Sequence, residues 1–525
     1  MAKQAFKQDN QGEILLFPAR LDENIGENDL VRLINKIVDK MDMKELLSGY
    51  RGGGASAYHP RMLLKVLLYA YCMKIYSGRK IARALQRDTA FMWLSGRQTP
   101  DFRTINHFRS GRLKNGIGQI FKSLLMLMFE EGYIGLDEYY CDGSIILADA
   151  NKHKATWKKN LERHRAHVES RIDETIKAID ELCREEGLLA DTDTGMATPE
   201  PFGEGRIKET ADKLNLLLNA GSKKAKRAAG KLHSDLVAGS VRVEVYKEKE
   251  GVCGERSGYS NTDPDAGMLR TKECQDDLRP GYNLLIGSEN QYVTGVSVHQ
   301  SPNDGACFKE HMEKRNTQVP RKAKVVVADA GFGTEENYSY LDGEGTGALL
   351  KYPSYDRERE RKFKENPYHR ENMPYDSQSD SFLCPDGKRL LFREEKETEN
   401  KNKYKSLVRI YECEGCLGCP HFDQCGNKRE EGQNRTVQVN EKLEGYKQKF
   451  RQLMKTEKGK ARMRQRGHDV ETVFGDTKQN QLFRRVHLRG IEKVTVEMTI
   501  VAIAHNLRKM NLEEAAKANE LKKAA

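Results

Sequence analysis

A chain of 525 residues, 38% hydrophobic and 32% charged, is too long for one compact core and is expected to form two to four domains. Its 89 Lys and Arg outnumber 78 Asp and Glu by +11, an excess that favours polyanions such as nucleic acid over acidic partners. No apolar run reaches the ~18 residues of a membrane span, the opening residues lack an apolar signal core, and eleven cysteines in so large a cytoplasmic chain argue against a disulfide scaffold.

Residues 1–135 read as a helical domain. Asn28 is expected to cap a helix with Leu30, Leu33, Ile34, Ile37 and Val38 on its apolar face. A second helix is expected from Arg61 to Tyr76. A third begins near Ser77 and carries Ile81, Ala84, Leu85 and Phe91. After the Gly96–Pro100 break, Thr104 to Arg109 opens another. Short helices with Gly/Pro turns suit a helix-turn-helix DNA reader, and Arg79, Arg83, Arg103 and Arg109 are its candidate DNA contacts. A helical cap with a solvated basic face is the plainer alternative.

The composition then changes. Tyr139 to Ile146 reads as a buried strand with one acid, Asp142, inside it. Residues 152–235 read as a helical hairpin inserted after that strand, with a break near 195–205. Strands are expected at Val241–Tyr246, Gly281–Ile286 and Tyr292–Val298, the last two joined by a hairpin loop over Gly287 to Asn290. Asp263, Pro264 and Asp265 read as a loop. Asp304 to Arg315 should be helical. Lys324 to Asp329 is a β-branched strand ending in an acid, and Ala348–Tyr352 is another strand. Residues 136–355 thus form the first part of an α/β core. Residues 356–442 are a cysteine-bearing insertion, and 443–525 hold a helix over Tyr446–Phe483 and an apolar closing helix over Ile491–Met510.

This order of strands and helices is the plan of a ribonuclease-H-like mixed sheet, in which the first and fourth strands lie side by side. Acids on those strands, Asp142 and Asp329, would then face each other across roughly 5 Å. An aspartate inside a Tyr/Cys/Ile strand is costly unless paired or metal-bound. Like charges so close raise their own pKa values, and hard carboxylate oxygens suit Mg²⁺ or Mn²⁺. A strand-end turn at Asp142 and an ordinary strand cap at Asp329 are the alternatives. Glu471, beside Val470, Val473 and Phe474, is taken alone one of many helix glutamates.

Cys413, Cys416, Cys419 and Cys425 follow a C-x2-C-x2-C-x5-C pattern, with Cys384 ahead of them in a knuckle-like Cys-Pro-Asp-Gly turn. Thiolates at such spacing favour structural Zn²⁺, held by four of these five. An iron–sulfur cluster or free thiols are the alternatives. Cys72, Cys141, Cys183, Cys253, Cys274 and Cys307 read as packing residues, and His299, His311, His468 and His505 as structural.

The stretches Asp142 to Ser144, Val327 to Gly333 and Val470 to Lys478 resemble the three signature blocks of bacterial insertion-sequence transposases of the DDE superfamily. They look most like the insertion-sequence-four-like kind, group eleven-eighty-two. Ser77–Arg109, Tyr282 and Asn283, Ser301 to Asp304, and Gly490–Lys509 extend the likeness over most of the chain. The resemblance implies Asp142, Asp329 and Glu471 as ligands of catalytic Mg²⁺ or Mn²⁺, and Lys478 as a helix lysine on DNA phosphate near the cut. The related signature carries an arginine four residues before the glutamate. Gly467 stands there, so the match departs at that point, and Arg464 or Arg466 is the candidate substitute. Arg484 and Arg485 are further candidate phosphate contacts.

The implied activity is binding of the element's terminal inverted repeats, metal-dependent strand cleavage and strand transfer. Double-stranded DNA is the partner, and a homodimer forms on DNA. The implied setting is the bacterial cytoplasm, on the nucleoid, with no membrane. A catalytically inactive DNA-binding protein and a metal-dependent nuclease without strand transfer are the competing readings.

Overall fold

The computed structural model describes residues 20–50, 56–188, 204–271, 274–425, 430 and 433–524. The opening residues and most of the expected 195–205 break lie outside these. The chain forms two compact units of an α/β fold. One takes in the described residues up to Ala148 and from Tyr282 onward; the other spans Asp149–Gly281.

In the larger unit the N-terminal helices run over Leu30–Lys40, Lys44–Ser48, Pro60–Cys72, Gly78–Ala84, Thr89–Ser95, Phe102–Ser110 and Ile117–Glu130. Their boundaries follow capping chemistry. Asp29, not Asn28, caps the first helix, its carboxylate accepting from the Val31 amide. Pro60 takes the first helical position of the next, where a missing N–H costs nothing. The single helix expected from Ser77 to Phe91 is two, because Asp88 accepts the Ala90 and Phe91 amides and starts a new one. Asp101 does the same for Phe102–Ser110 through the Thr104 amide.

The strands of the larger unit are β1 (Glu138–Leu147), the Tyr282–Glu289 part of β5 (Cys274–Glu289), β6 (Tyr292–His299), β7 (Val325–Ala328) and β8 (Gly347–Leu350). β2 (Ala155–Trp157), β3 (Gly258–Ser260) and β4 (Asp263–Thr271) belong to the smaller unit. The order in the larger unit is β6-β5-β1-β7-β8. β5 and β6 are antiparallel, while β1 with β7 and β7 with β8 are parallel. Alternating side chains divide the sheet's two faces. Tyr139, Cys141, Val326 and Ala328 pack with Phe308, Met312 and Tyr338 from helices Asp304–Gln318 and Glu335–Gly343. Tyr140, Val327 and Leu349 pack with Phe450 and Val470 from the helical run that starts at Glu441.

The hairpin between β5 and β6 turns at Asn290 and Gln291, both at positive φ, rather than at Gly287 to Asn290. Two residues of that conformation match the twist of the flanking strands. Gly287 lies within β5, and a side chain there would overlap the ring of Tyr139. The closing helix, Ile491–Ala524, is longer than its apolar stretch. Asn506 locks it to β6, accepting from the Val293 amide at 2.8 Å and donating to the Val293 carbonyl at 2.9 Å.

The cysteine-bearing segment forms a second, antiparallel sheet: β9 (Tyr375–Asp376), β10 (Ser381–Leu383), β11 (Arg389–Glu399), β12 (Lys405–Cys413) and β13 (Thr436–Val439), in order β13-β12-β11-β10-β9.

In the smaller unit, helices Lys158–Glu185, Glu204–Ala220 and Lys223–Cys253 share a core that includes Ile172, Ile176, Leu217 and Val243. The strand expected at Val241–Tyr246 is part of the third helix. Only Val243 of its three valines is buried, and Val241 and Val245 are exposed, so their alternation reports a helix surface. Asp263 and Asp265, expected in a loop, lie on β4.

Candidate active site

The parallel register of β1 and β7 places Cys141 opposite Ala328. Asp142 and Asp329, one residue on, therefore sit side by side where β7 ends. By alternation they fall on the side of Tyr140 and Val327, the face covered by the Glu441 run of helices, and there a single cation meets both. Arg466 Nη1 donates to Asp142 Oδ2 at 3.3 Å, and its Nη2 lies 3.7 Å from Asp329 Oδ2. Lys351 Nζ is 3.6 Å from Asp329 Oδ1.

The two carboxylates are driven apart electrostatically. Burial pushes the Asp142 carboxyl up, and Asp329 and Asp304 add to this against Arg466 and the Gly143 amide, so it stands above its ordinary value. Burial also opposes the charge on Asp329. The Ala330 amide, Arg466 and Lys351 outweigh it and leave that carboxyl below its ordinary value. One acid that holds its proton more readily beside one that releases it readily is a pattern of functional pairs. It also arises in structural ion pairs.

Glu471 is not gathered to this pair. It is solvent-exposed and lines a surface depression of about 410 Å³ with Arg464, Gly467, His468 and Thr472. Its segment, Gly467–Glu471, is wound as a π-helix, as is Asp476–Asn480, a winding that often marks functional stretches. Among the described residues no three His, Cys, Asp or Glu side chains are arranged to hold a metal ion. The positive charge between the aspartates is the guanidinium of Arg466. Position 466 thus engages both acids where the resembled signature would have put an arginine at 467.

Lys478 Nζ donates to Ser144 Oγ at 2.6 Å and to the Ile145 carbonyl at 2.9 Å, tying its helix to β1 just beyond Asp142. Arg484 is exposed and donates to Gln479 Oε1 at 2.6 Å. Arg485 donates to the Ala148 carbonyl at 3.0 Å, and Leu147 pairs with Arg485 as a short extension of β1.

Arg79, Arg83 and Arg103 are exposed. The guanidinium groups of Arg79 and Arg103 lie 4.9 Å and 5.8 Å from the ring centre of Phe102. Arg109 is different, being 5% exposed. It donates to Tyr71 Oη at 3.0 Å and to the Tyr76 carbonyl at 2.7 Å, and stands 4.0 Å from the fully buried Glu497. Glu497 also accepts from Tyr71 Oη and from the His487 and Leu488 amides. Arg109 thus helps join the N-terminal helices to the closing helix instead of facing solvent.

Cys384, Cys413, Cys416, Cys419 and Cys425 converge on one cavity of about 10 Å³, with Asp386 and His421 at its wall. That is room for one water-sized occupant. Backbone amides of Lys388 and Arg435 donate to Cys384 Sγ and Cys416 Sγ, each at 3.3 Å. The Arg435 guanidinium donates to Cys425 Sγ at 3.1 Å. The Cys413 thiol is pushed up to about 12 by burial and by the neighbouring sulfurs. Cys72, Cys141, Cys183, Cys253 and Cys307 are buried packing residues; the side chain of Cys274 lies outside the described residues. His311 is buried between Tyr139 Oη and Ser297 Oγ, and His505 bonds Asp476 at 2.8 Å.

Two residues that the fold brings toward the aspartates carry little signal of it in the sequence. Arg466 is one of two equal candidates there, and Asp304 opens a helix, yet its carboxylate lies against Gly143; nothing local in the sequence links residue 304 to residue 142.

Comparison with family models gives two matches. Residues 19–111 match a Transposase domain (DUF772) and residues 383–511 a Transposase DDE domain. The first contains the candidate arginines of the N-terminal helices; the second contains the cysteine cavity, Arg466, Glu471 and Lys478. No curated protein matches the chain. No helix among the described residues is long and apolar enough to cross a membrane.

Proposed function

We propose that the chain, matched by a Transposase DDE domain over 383–511 and a Transposase domain over 19–111, is an insertion-sequence DDE transposase that binds the terminal inverted repeats of its element and cuts and joins DNA at Asp142 and Asp329. The observation that carries this reading is the β1–β7 register, which sets these acids next to each other at the end of β7. The sheet order β6-β5-β1-β7-β8 supports a ribonuclease-H-like core. The acids suit a divalent cation: two hard carboxylates, one raised by burial, already neutralised by a guanidinium. Mg²⁺ or Mn²⁺ bound there would activate the attacking oxygen and stabilise the leaving oxygen of an in-line displacement.

The chain's own residues supply the rest. Asp142 and Asp329 orient the charge at the scissile phosphate. Arg466, released from the pair, is placed to meet phosphate oxygen as a planar fork. Lys478 holds the catalytic helix to β1 and is near enough to that strand to contact DNA beside the cut. Glu471, five residues beyond Arg466 on the π-helical turn Gly467–Glu471, would complete the ligand set if that turn rewound on DNA. Arg79, Arg83, Arg103, Arg484 and Arg485 contact phosphates of the bound ends; Arg109 is structural. Four of the five thiols around the cysteine cavity would hold a structural Zn²⁺, and two copies would hold two element ends.

Incubating the protein with linear element ends, a target plasmid and Mg²⁺ tests this. Joined products are expected. Asp142→Asn should lower cleavage by about 10³-fold or more, or ~4 kcal/mol of barrier, while end binding in a mobility-shift assay stays within a few-fold. Cleavage at the wild-type rate in this variant would overturn the site. Cuts without joining would leave a nuclease, and shifts without cuts an inactive DNA binder. The exposed Glu471 and the guanidinium seated between the aspartates favour that last reading for the DNA-free form alone.

A further inference from the structure

We propose that the surface depression between helices Gly78–Ala84 and Phe102–Ser110 holds one backbone phosphate of the element's end DNA, with Ser77, Arg79 and Asn106 as its donors; this rests on the reading of the N-terminal helices as the end-binding surface.

The depression measures about 290 Å³ and lies within the larger unit, with His487 as part of its wall. Ser77, Arg79, Asn106 and Arg109 bring N–H or O–H donors to that wall, and among the described residues no carboxylate lines it. Glu497, the acid that meets Arg109, is fully buried. It is already engaged by Tyr71 Oη and by the His487 and Leu488 amides, and His487 Nδ1 stands 3.3 Å from it. A wall of donors with no acid facing the opening is the chemistry of an anion site.

Two further observations point to an occupant. Arg109 is 5% exposed, and its Nε meets no acceptor among the described residues, although its Nη1 and Nη2 donate to the Tyr76 carbonyl and to Asn106 Oδ1. A buried cationic donor left unmet is costly, and an anion in the depression supplies negative charge beside it without breaking either bond. The same contact orients Asn106. A guanidinium can only donate, so the amide oxygen of Asn106 faces it and the Nδ2 group is left for the occupant. Gly78 makes room for this arrangement, since a side chain there would overlap the Asn106 amide. Ser77 precedes the helix Gly78–Ala84 yet spends no side-chain bond on capping it, which leaves its hydroxyl as a donor. The Arg79 guanidinium lies 4.9 Å from the ring centre of Phe102. Stacking of this kind holds the planar fork ready for two phosphate oxygens and lowers the entropy lost on binding.

Mobility shifts of the full chain on element-end duplexes that carry single methylphosphonates, each neutralising one phosphate, test this without reference to cleavage. Asn106→Asp keeps the acceptor for Arg109 and replaces the Nδ2 donor by a negative oxygen. It should weaken binding to the unmodified duplex by about tenfold or more, at an unchanged melting midpoint. It should also erase the penalty that one methylphosphonate position carries in the wild type. Arg79→Gln should erase the penalty at the same position and lower the slope of log affinity against log salt by about one. Arg83→Gln, outside the depression, should leave that penalty in place. If Asn106→Asp and Arg79→Gln both keep every wild-type penalty, the pocket is overturned while end binding stands. A wild type that shifts no end duplex overturns end binding, and the pocket with it. If Asn106→Asp melts early, the exposed Arg79→Gln decides alone. Calorimetric titration with dAMP separates the sources of phosphate: binding of dAMP that Asn106→Asp abolishes, with every duplex penalty unchanged, would give the pocket to a free nucleotide and overturn its assignment to DNA.

Discussion

At the scale of single residues, the molecule places charge where burial opposes it and then compensates. Asp476 shows the sign most clearly. Burial resists its charge, but His505 and Arg508 outweigh that and hold the carboxyl far below its ordinary value. A depressed acid stabilises the fold above its unfolded pKa of about 4, and that contribution is lost as pH falls toward the folded value. Urea unfolding followed from pH 5 to pH 2.5 should therefore lose stability more steeply in the wild type than in Asp476→Asn. Parallel pH curves would show that the His505 and Arg508 contacts contribute nothing net. Residue-level legibility was uneven for a physical reason. Asp142 and Asp329 announce themselves, since an acid in an apolar β-branched run is expensive. Arg466 and Asp304 sit in polar stretches where a charge costs nothing, and only the fold shows which acids they meet.

At the scale of elements, periodicity revealed most helices and strands, and its errors share one origin. Alternating Val241, Val243 and Val245 mimic a strand although one valine alone is buried. Gly287 mimics a turn although its missing side chain makes room for Tyr139 from the adjacent strand. In both cases packing against a distant segment sets the meaning of a local pattern. The cysteine cavity was legible in outline because thiol spacing survives without tertiary knowledge; the place of Cys384 beside the other four was not fixed by spacing. The walls of that cavity lead to a definite expectation. The purified protein should carry about one zinc per chain by plasma mass spectrometry. Cys413→Ser and Cys416→Ser should lose it and lower the melting midpoint, whereas Cys72→Ser should keep it. Metal-free wild-type protein of unchanged stability would remove zinc from the account.

At the scale of the whole molecule, the expected N-terminal domain of residues 1–135 shares one compact unit with residues 282 onward. A buried charge is one of the links between them. Glu497 on the closing helix meets Tyr71, Arg109 and the His487 amide. Burial alone would raise its carboxyl; His487 and Arg109 hold it below the ordinary value. Sequence separation hid this link, since Tyr71 and Glu497 lie 426 residues apart. Breaking such a pair from one side costs about 3–5 kcal/mol, a large share of a domain's ~5–15 kcal/mol.

That carboxylate has a consequence for shortened products of the reading frame. A polypeptide released before residue 490 would still encode every N-terminal arginine, yet it would lack the closing helix that packs on the N-terminal helices and the Glu497 carboxylate beside Arg109. Such a fragment is expected to be degraded or to aggregate on expression, and so to fail as a trans-dominant competitor for the element's ends. A stable, well-folded 20–480 fragment that bound those ends in a mobility-shift assay would contradict this. Interference by partial translation products is thereby expected to fail for want of the closing helix and its Glu497.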